Sequence, residues 1–93
     1  MGYDLRISTK FYDVYFDNEG ALLQGFLEKR WKKKIEIGKE YKITKEQIND
    51  LILCMKNENK KQKKGYFSES KIDKMENMYK TMEKKDKAIF CPW

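Results

Sequence analysis

With 93 residues the chain has room for one domain around one core, which excludes a second, and folding at this length buries roughly 60 to 65% of the surface exposed when unfolded. Hydrophobic residues at 40% and aromatics at 14% are enough for a packed fold, with net stability on the order of 5 to 10 kcal/mol. Twenty-one Lys/Arg against fifteen Asp/Glu leave a net charge of +6, and the lack of any histidine removes Ser-His and Cys-His nucleophile systems, His-based zinc sites and the commonest general base.

From Tyr3 to Phe16 the chain is rich in Tyr, Phe, Val and Ile, and Leu5, Ile7, then Tyr12, Val14 and Phe16 alternate against Arg6 and Asp13. That is the period of a half-buried strand, so one long or interrupted strand is expected, ended by the turn-forming run Asp17-Asn18-Glu19-Gly20. Leu22, Leu23, Phe26, Leu27 and Trp31 then recur about every four residues, which suits a helix in spite of Gly25. A second hairpin strand is the competing assignment. Beyond Lys32, Lys33 and Lys34, the alternation of Ile35, Ile37, Tyr41 and Ile43 around Gly38 predicts a strand with a bend or a short hairpin.

Thr44 followed three residues later by Gln47 is a capping box, and Ile48, Leu51, Ile52 and Met55 fall on one face behind it. The helix so begun should run to about Asn59 and fray into a lysine-rich loop ending at Gly65. Tyr66 and Phe67 can pack back on the core. Ser68 or Ser70 then caps a third helix with the core-facing stripe Ile72, Met75, Met78, Tyr79 and Met82. Ala88 to Cys91 reads as a final strand, closed by Pro92 and followed by Trp93. The expected product is a small single α+β domain over residues 1–93, a short antiparallel sheet with two to three helices on one face.

The positive charge is bunched. Residues 29 to 64 carry thirteen Lys/Arg against five acids, whereas residues 1 to 28 carry two against five. One cluster, Lys29, Arg30, Lys32, Lys33 and Lys34, surrounds Trp31; the other includes Lys60, Lys61, Lys63 and Lys64 and is followed by Tyr66. These are the candidate partner-binding residues, because cations attract negative partners and exposed rings add stacking or interface contacts. Only Arg6 and Arg30 could make a bidentate guanine contact, which speaks against sequence-specific readout.

No motif specifies a reaction. Asp4, Asp13, Asp17 and Glu19 could gather around a divalent ion but read as solvated charges near a turn, the glycines lack phosphate-loop spacing, and no cofactor is expected. Cys54 and Cys91 have no C-x-x-C partner spacing, which fits free thiols in a reducing compartment. Without a signal peptide or an apolar run of about 18 residues, a cytoplasmic protein with no membrane partner is expected. An exposed methionine strip on the third helix would make a homodimer natural.

Residues Lys39-Glu40-Tyr41-Lys42-Ile43-Thr44-Lys45-Glu46-Gln47-Ile48 resemble the aromatic strand and Ser/Thr-capped helix of an uncharacterised family of small phage and prophage proteins. The likeness continues through Gly65-Tyr66-Phe67-Ser68 to Ile89-Phe90 and Trp93, covering roughly residues 39 to 93. The chain departs from that family in its Trp- and His-bearing helix, for which Leu22 to Trp31 is a loose counterpart. The resemblance implies a mobile-element origin and supplies no catalytic residue. It points to a non-catalytic protein of the bacterial host's cytoplasm that antagonises a defence system, including a CRISPR effector, by binding a host protein or a ribonucleoprotein with an acidic or RNA-bearing surface. A nonspecific nucleic-acid-binding accessory protein is the alternative.

Overall fold

The N-terminal aromatic segment folds back on itself. In the computed structural model, which describes residues 4–17, 19–32, 34–61 and 66–92, strands β1 (Leu5–Ser8) and β2 (Asp13–Phe16) pair antiparallel, with Leu5 opposite Phe16 and Ile7 opposite Val14. The interruption expected between Leu5 and Phe16 is therefore a full reversal. Thr9 makes it, donating its N–H to the Tyr12 carbonyl at 2.8 Å while its Oγ1 accepts from the Tyr12 N–H at 3.2 Å. A threonine side chain in this role announces a turn more weakly than glycine or asparagine does.

Helix α1 (Gly20–Trp31) settles the competition between helix and second hairpin strand in favour of the helix. Leu23 and Leu27 are buried, while Leu22 and Phe26 are only partly covered. The helix ends on Lys32, which adopts a left-handed conformation with φ 50°. Gly25 lies in the helix interior, and a Cβ built there would meet nothing within 4 Å. Gly25→Ala should accordingly stabilise the protein by about 0.5–1 kcal/mol, the helix-propensity difference between the two residues, read as a raised denaturant midpoint at unchanged slope.

The segment around Ile35 and Ile37 corrects the expectation of a strand. Ile35 is buried, but Ile37 is 66% exposed and regular pairing begins only at β3 (Tyr41–Thr44). Its backbone is satisfied by other means: Gln24 Nε2 donates to the Ile35 carbonyl at 3.2 Å, the Glu36 N–H donates to the Tyr41 hydroxyl at 2.7 Å, and Gly38, at φ +89°, donates its N–H to the Pro92 carbonyl at 2.7 Å. Donors spent on a glycine turn and on side chains are not available to a ladder. The capping box forms as expected, with the Thr44 N–H donating to Gln47 Oε1 at 2.8 Å and the Gln47 N–H to Thr44 Oγ1 at 3.2 Å. It opens α2 (Lys45–Lys61), which buries Ile48, Leu51, Ile52 and Met55 and runs two residues past Asn59.

Asn59 reaches forward to Phe67 by two bonds, Nδ2 to the Phe67 carbonyl at 2.8 Å and the Phe67 N–H to Oδ1 at 2.7 Å. Phe67 is thereby held in the core, edge-on to Phe16 with centroids 6.1 Å apart. Ser68 caps α3 (Glu69–Thr81) by accepting from the Lys71 N–H at 3.3 Å. Ile72, Met75, Met78 and, just past the helix, Met82 are all buried. The methionine strip is therefore part of the core, as its helical spacing indicated, and the exposed strip on which self-association through this helix depended is not found.

Strand β4 (Lys87–Pro92) pairs antiparallel with both β1 and β3, giving the sheet order β2-β1-β4-β3. Leu5, Ile7, Val14, Phe16, Ile43, Ala88 and Phe90 join the helical residues in one core, so the three helices cover one face of a four-stranded antiparallel sheet. The expected α+β domain is the architecture found. No helix among the described residues is long and apolar enough to cross a membrane.

One ion pair ties α3 to the N-terminal end of α1, beside the Phe16 ring of β2. Lys71 Nζ donates to Glu19 Oε1 at 2.6 Å and sits 5.3 Å from the Phe16 ring centroid. Burial pushes the Glu19 carboxyl up, but the bond from Lys71 and nearby backbone donors outweigh it and hold the group below its ordinary 4.5. A depressed carboxyl contributes stability that is present above the unfolded value and is lost as pH falls through the lower folded value. Thermal unfolding of wild type should consequently lose more on acidification below about pH 4.5 than that of Glu19→Gln, and identical pH profiles would dismiss this contribution.

Candidate functional site

The described members of the predicted basic clusters all lie on the helical layer, away from the helix-free face of the sheet. Lys29, Arg30 and Trp31 form the last turn of α1, Lys32 is its cap, Lys34 follows, and Lys60 and Lys61 close α2. All of them are exposed. Lys33, Lys63 and Lys64 lie outside the described residues, as do Tyr3, Gly65 and Trp93.

Helix C-termini carry a partial negative charge, and cations in the last turn contribute about 0.3–1 kcal/mol each. Folding alone thus accounts for Lys29, Arg30, Lys60 and Lys61. It does not account for Lys32 and Lys34. Lys32 occupies a left-handed position where glycine is the usual residue and where a side chain costs about 1–2 kcal/mol.

Elsewhere several described cations are committed, although Lys74, Lys80, Lys84 and Lys87 likewise form no ion pair among the described residues. Arg6 donates to both oxygens of Asp13, at 2.8 and 2.6 Å, Lys39 pairs with Glu36, Lys56 approaches Glu76 at 3.5 Å, and Lys71 holds Glu19. By contrast, Lys29, Arg30, Lys32, Lys34, Lys60 and Lys61 form no ion pair among the described residues. Arg30 lies 5.5 Å from the Trp31 ring, which remains 37% exposed. Tyr66 is also half exposed, but its ring packs edge-on against Phe67 at 5.1 Å.

One lysine from each cluster, Lys29 and Lys61, lines a common groove although the two lie about thirty residues apart in sequence. Between α1 and α2 lies a depression of about 310 Å³ lined by Leu22, Gly25, Phe26 and Lys29 from α1 and by Cys54, Asn57, Glu58 and Lys61 from α2. Lys60 turns the other way, into a depression of about 370 Å³ shared with Lys56, Asn59, Glu69, Ile72 and Asp73, where acids balance it. Burial, followed by the charge of Glu58, pushes the Cys54 thiol up, which makes it a sluggish nucleophile. Cys54 and Cys91 are both free.

Among the described residues no group of three metal-binding side chains occurs. Of the acids considered for a metal, Asp13 is held below its usual range by the bond from Arg6, and Asp4 accepts a hydrogen bond from Tyr15. A hollow of about 320 Å³ on the open sheet face is lined by Arg6, Ser8, Glu40, Ile89 and Cys91, and another of about 410 Å³ by Thr44, Lys45, Glu46, Tyr79 and Lys84. In the second, Lys45 stacks over Tyr79 at 4.6 Å, a contact internal to the fold.

The groove itself was not foreseen from sequence, although one sign of it was present: Gly25, which lines it, interrupts an otherwise good helical pattern. No protein-family model, curated protein or solved structure matches this chain.

Proposed function

We propose that the protein is a non-catalytic binding protein that lays its basic helical layer on a negatively charged surface of a host protein or ribonucleoprotein, and that it antagonises a host defence system by occupying that surface. The observation that carries the docking half is the set of exposed cations at the ends of α1 and α2 with no ion-pair partner among the described residues, one of them, Lys32, kept where the backbone favours glycine. Local rules of this kind are broken where a residue is needed for something other than folding. The defence half rests on the resemblance of residues 39 to 93 to small phage proteins, among which inhibition of a CRISPR effector is one such role.

A protein or protein-bound surface is favoured over bare nucleic acid because the groove shared by Lys29 and Lys61 is floored by Leu22, Phe26 and Cys54. Apolar lining adds nothing to phosphate binding. The test is capture from host lysate on the tagged protein, with and without nuclease. A stoichiometric host protein retained after nuclease treatment is the expected result. Binding that requires nucleic acid, and falls about 10³-fold between 50 and 200 mM salt, would instead identify a nucleic-acid accessory protein.

A further inference from the structure

Helix α1 carries more apolar surface than the core uses. Leu23 and Leu27 point into the interior, whereas Leu22 and Phe26, one position before each, are only partly covered and line the groove toward α2. Gly25 lies beside Phe26, in helical conformation, with open space where a Cβ would stand. Among the described residues, neither backbone geometry nor packing asks for glycine there. What the missing side chain does provide is close access to the backbone of α1 for atoms from outside. The far wall is formed by Cys54, Asn57, Glu58 and Lys61 of α2. Lys29 and Lys61 face a single lining acid, Glu58, so the groove keeps a positive balance.

We propose that this groove seats an acidic amphipathic α-helix of the partner, its apolar side on Leu22, Phe26 and Cys54 and its carboxylates toward Lys29 and Lys61. The assignment rests on the docking function above and names the element that docks. A trough between two packed helices matches the ridge of a third, the helix-in-groove mode of recognition, and the lysines select its charge. A second copy of this chain is a poor occupant, because the apolar stripes of α2 and α3 are already buried in its own core.

The two free thiols allow a direct test on the unaltered protein, since Cys54 lines the groove and Cys91 lies on the helix-free sheet face. The probe is a synthetic helical peptide with leucine at positions i, i+3, i+4 and i+7 and glutamate elsewhere. Its control is a scrambled peptide of the same composition. At nine-tenths occupancy the amphipathic peptide should slow alkylation of Cys54 by N-ethylmaleimide about tenfold and leave Cys91 unchanged, while the scrambled peptide protects neither. Gly25→Leu, which places a side chain in the groove, should lose this protection at an unfolding midpoint no lower than that of wild type; should the variant fail to fold, the wild-type pattern still decides.

Equal protection by the two peptides, protection of Cys91, or no protection at all overturns the helix seat. If capture from lysate still depends on the cations in that event, the basic surface stands without the groove. Protection of Cys54 alongside capture that ignores the cations would separate the two in the opposite sense.

Discussion

Removing the cations of the helical layer is expected to weaken partner capture by about 10²-fold or more while the fold survives. The substitutions need care, because Lys29, Arg30, Lys60 and Lys61 also face the negative ends of α1 and α2, where an acid would be repelled. Glutamine at those four positions and glutamate at Lys32 and Lys34 removes four charges and reverses two, taking the net charge from +6 to −2. Each exposed pair lost at an interface is worth about 0.2–1 kcal/mol, and each like-charge contact created costs more. Six such changes sum to about 3 kcal/mol, or roughly two decades in Kd. Stability should move by less than the binding does, since the helix-end terms are individually small and none of these cations has an ion-pair partner among the described residues to abandon. Titration of the captured partner by calorimetry, with thermal unfolding as the control, reads both. A Kd within a few-fold of wild type would end the docking proposal.

The second large effect concerns stability. Phe67→Ala should cost about 3–5 kcal/mol, a large share of the roughly 5 to 10 kcal/mol available to a domain of this size. Phe67 is only 2% exposed, stacks edge-on against Phe16, and is the point where the connection between α2 and α3 is drawn into the core. The loss combines burial with a cavity that Phe16 and the ends of two helices cannot easily refill. Asn59→Ala acts on the same anchor by a different route. It leaves the Phe67 N–H and carbonyl without their partners at 2.7 and 2.8 Å, each costing about 1–3 kcal/mol if no water replaces them. Denaturant unfolding should rank Phe67→Ala and Asn59→Ala well below wild type, and the double variant should lose less than the sum because both changes release one anchor. Additive losses would show that the two residues act separately.

Much of the fold was legible because local signals and tertiary demands agree. The Thr44–Gln47 capping box and the Ser68 cap are chemistry of neighbouring residues, and the stripes of α2 and α3 follow helical spacing so closely that Met75, Met78 and Met82 could be placed in the core from spacing alone. What failed did so where a side chain did the work of backbone. Thr9 closes the first hairpin without glycine, and Gln24 and Tyr41 satisfy the segment that looked like a strand around Ile37. Alternation of isoleucines was the misleading signal there, since a period of two carries no information about whether a neighbouring strand is available to pair.

Of the candidate site, the identity and exposure of the cations could be read from composition, whereas their arrangement could not. Lys60 and Lys61 are adjacent in sequence yet enter different depressions, and Lys29 finds Lys61 only because α1 and α2 pack together. Likewise Arg6 looked available to a ligand until the register of β1 against β2 set it next to Asp13. Pairing between elements decides which charges are neutralised, and that lies beyond any local pattern.

The sheet order has a consequence for how the chain is made. Its two central strands, β1 and β4, pair Leu5 with Pro92, and among the described residues β3 has no strand neighbour other than β4. During synthesis the first hairpin and the helices can emerge and fluctuate, but the sheet stays split into two unjoined parts until Pro92 has cleared the ribosome. Loop closure over such a span makes this the slow, late step of folding. Until it happens the nascent polypeptide shows bare strand edges to its neighbours, so crowding of unfinished copies on one messenger is the moment of greatest exposure to aggregation.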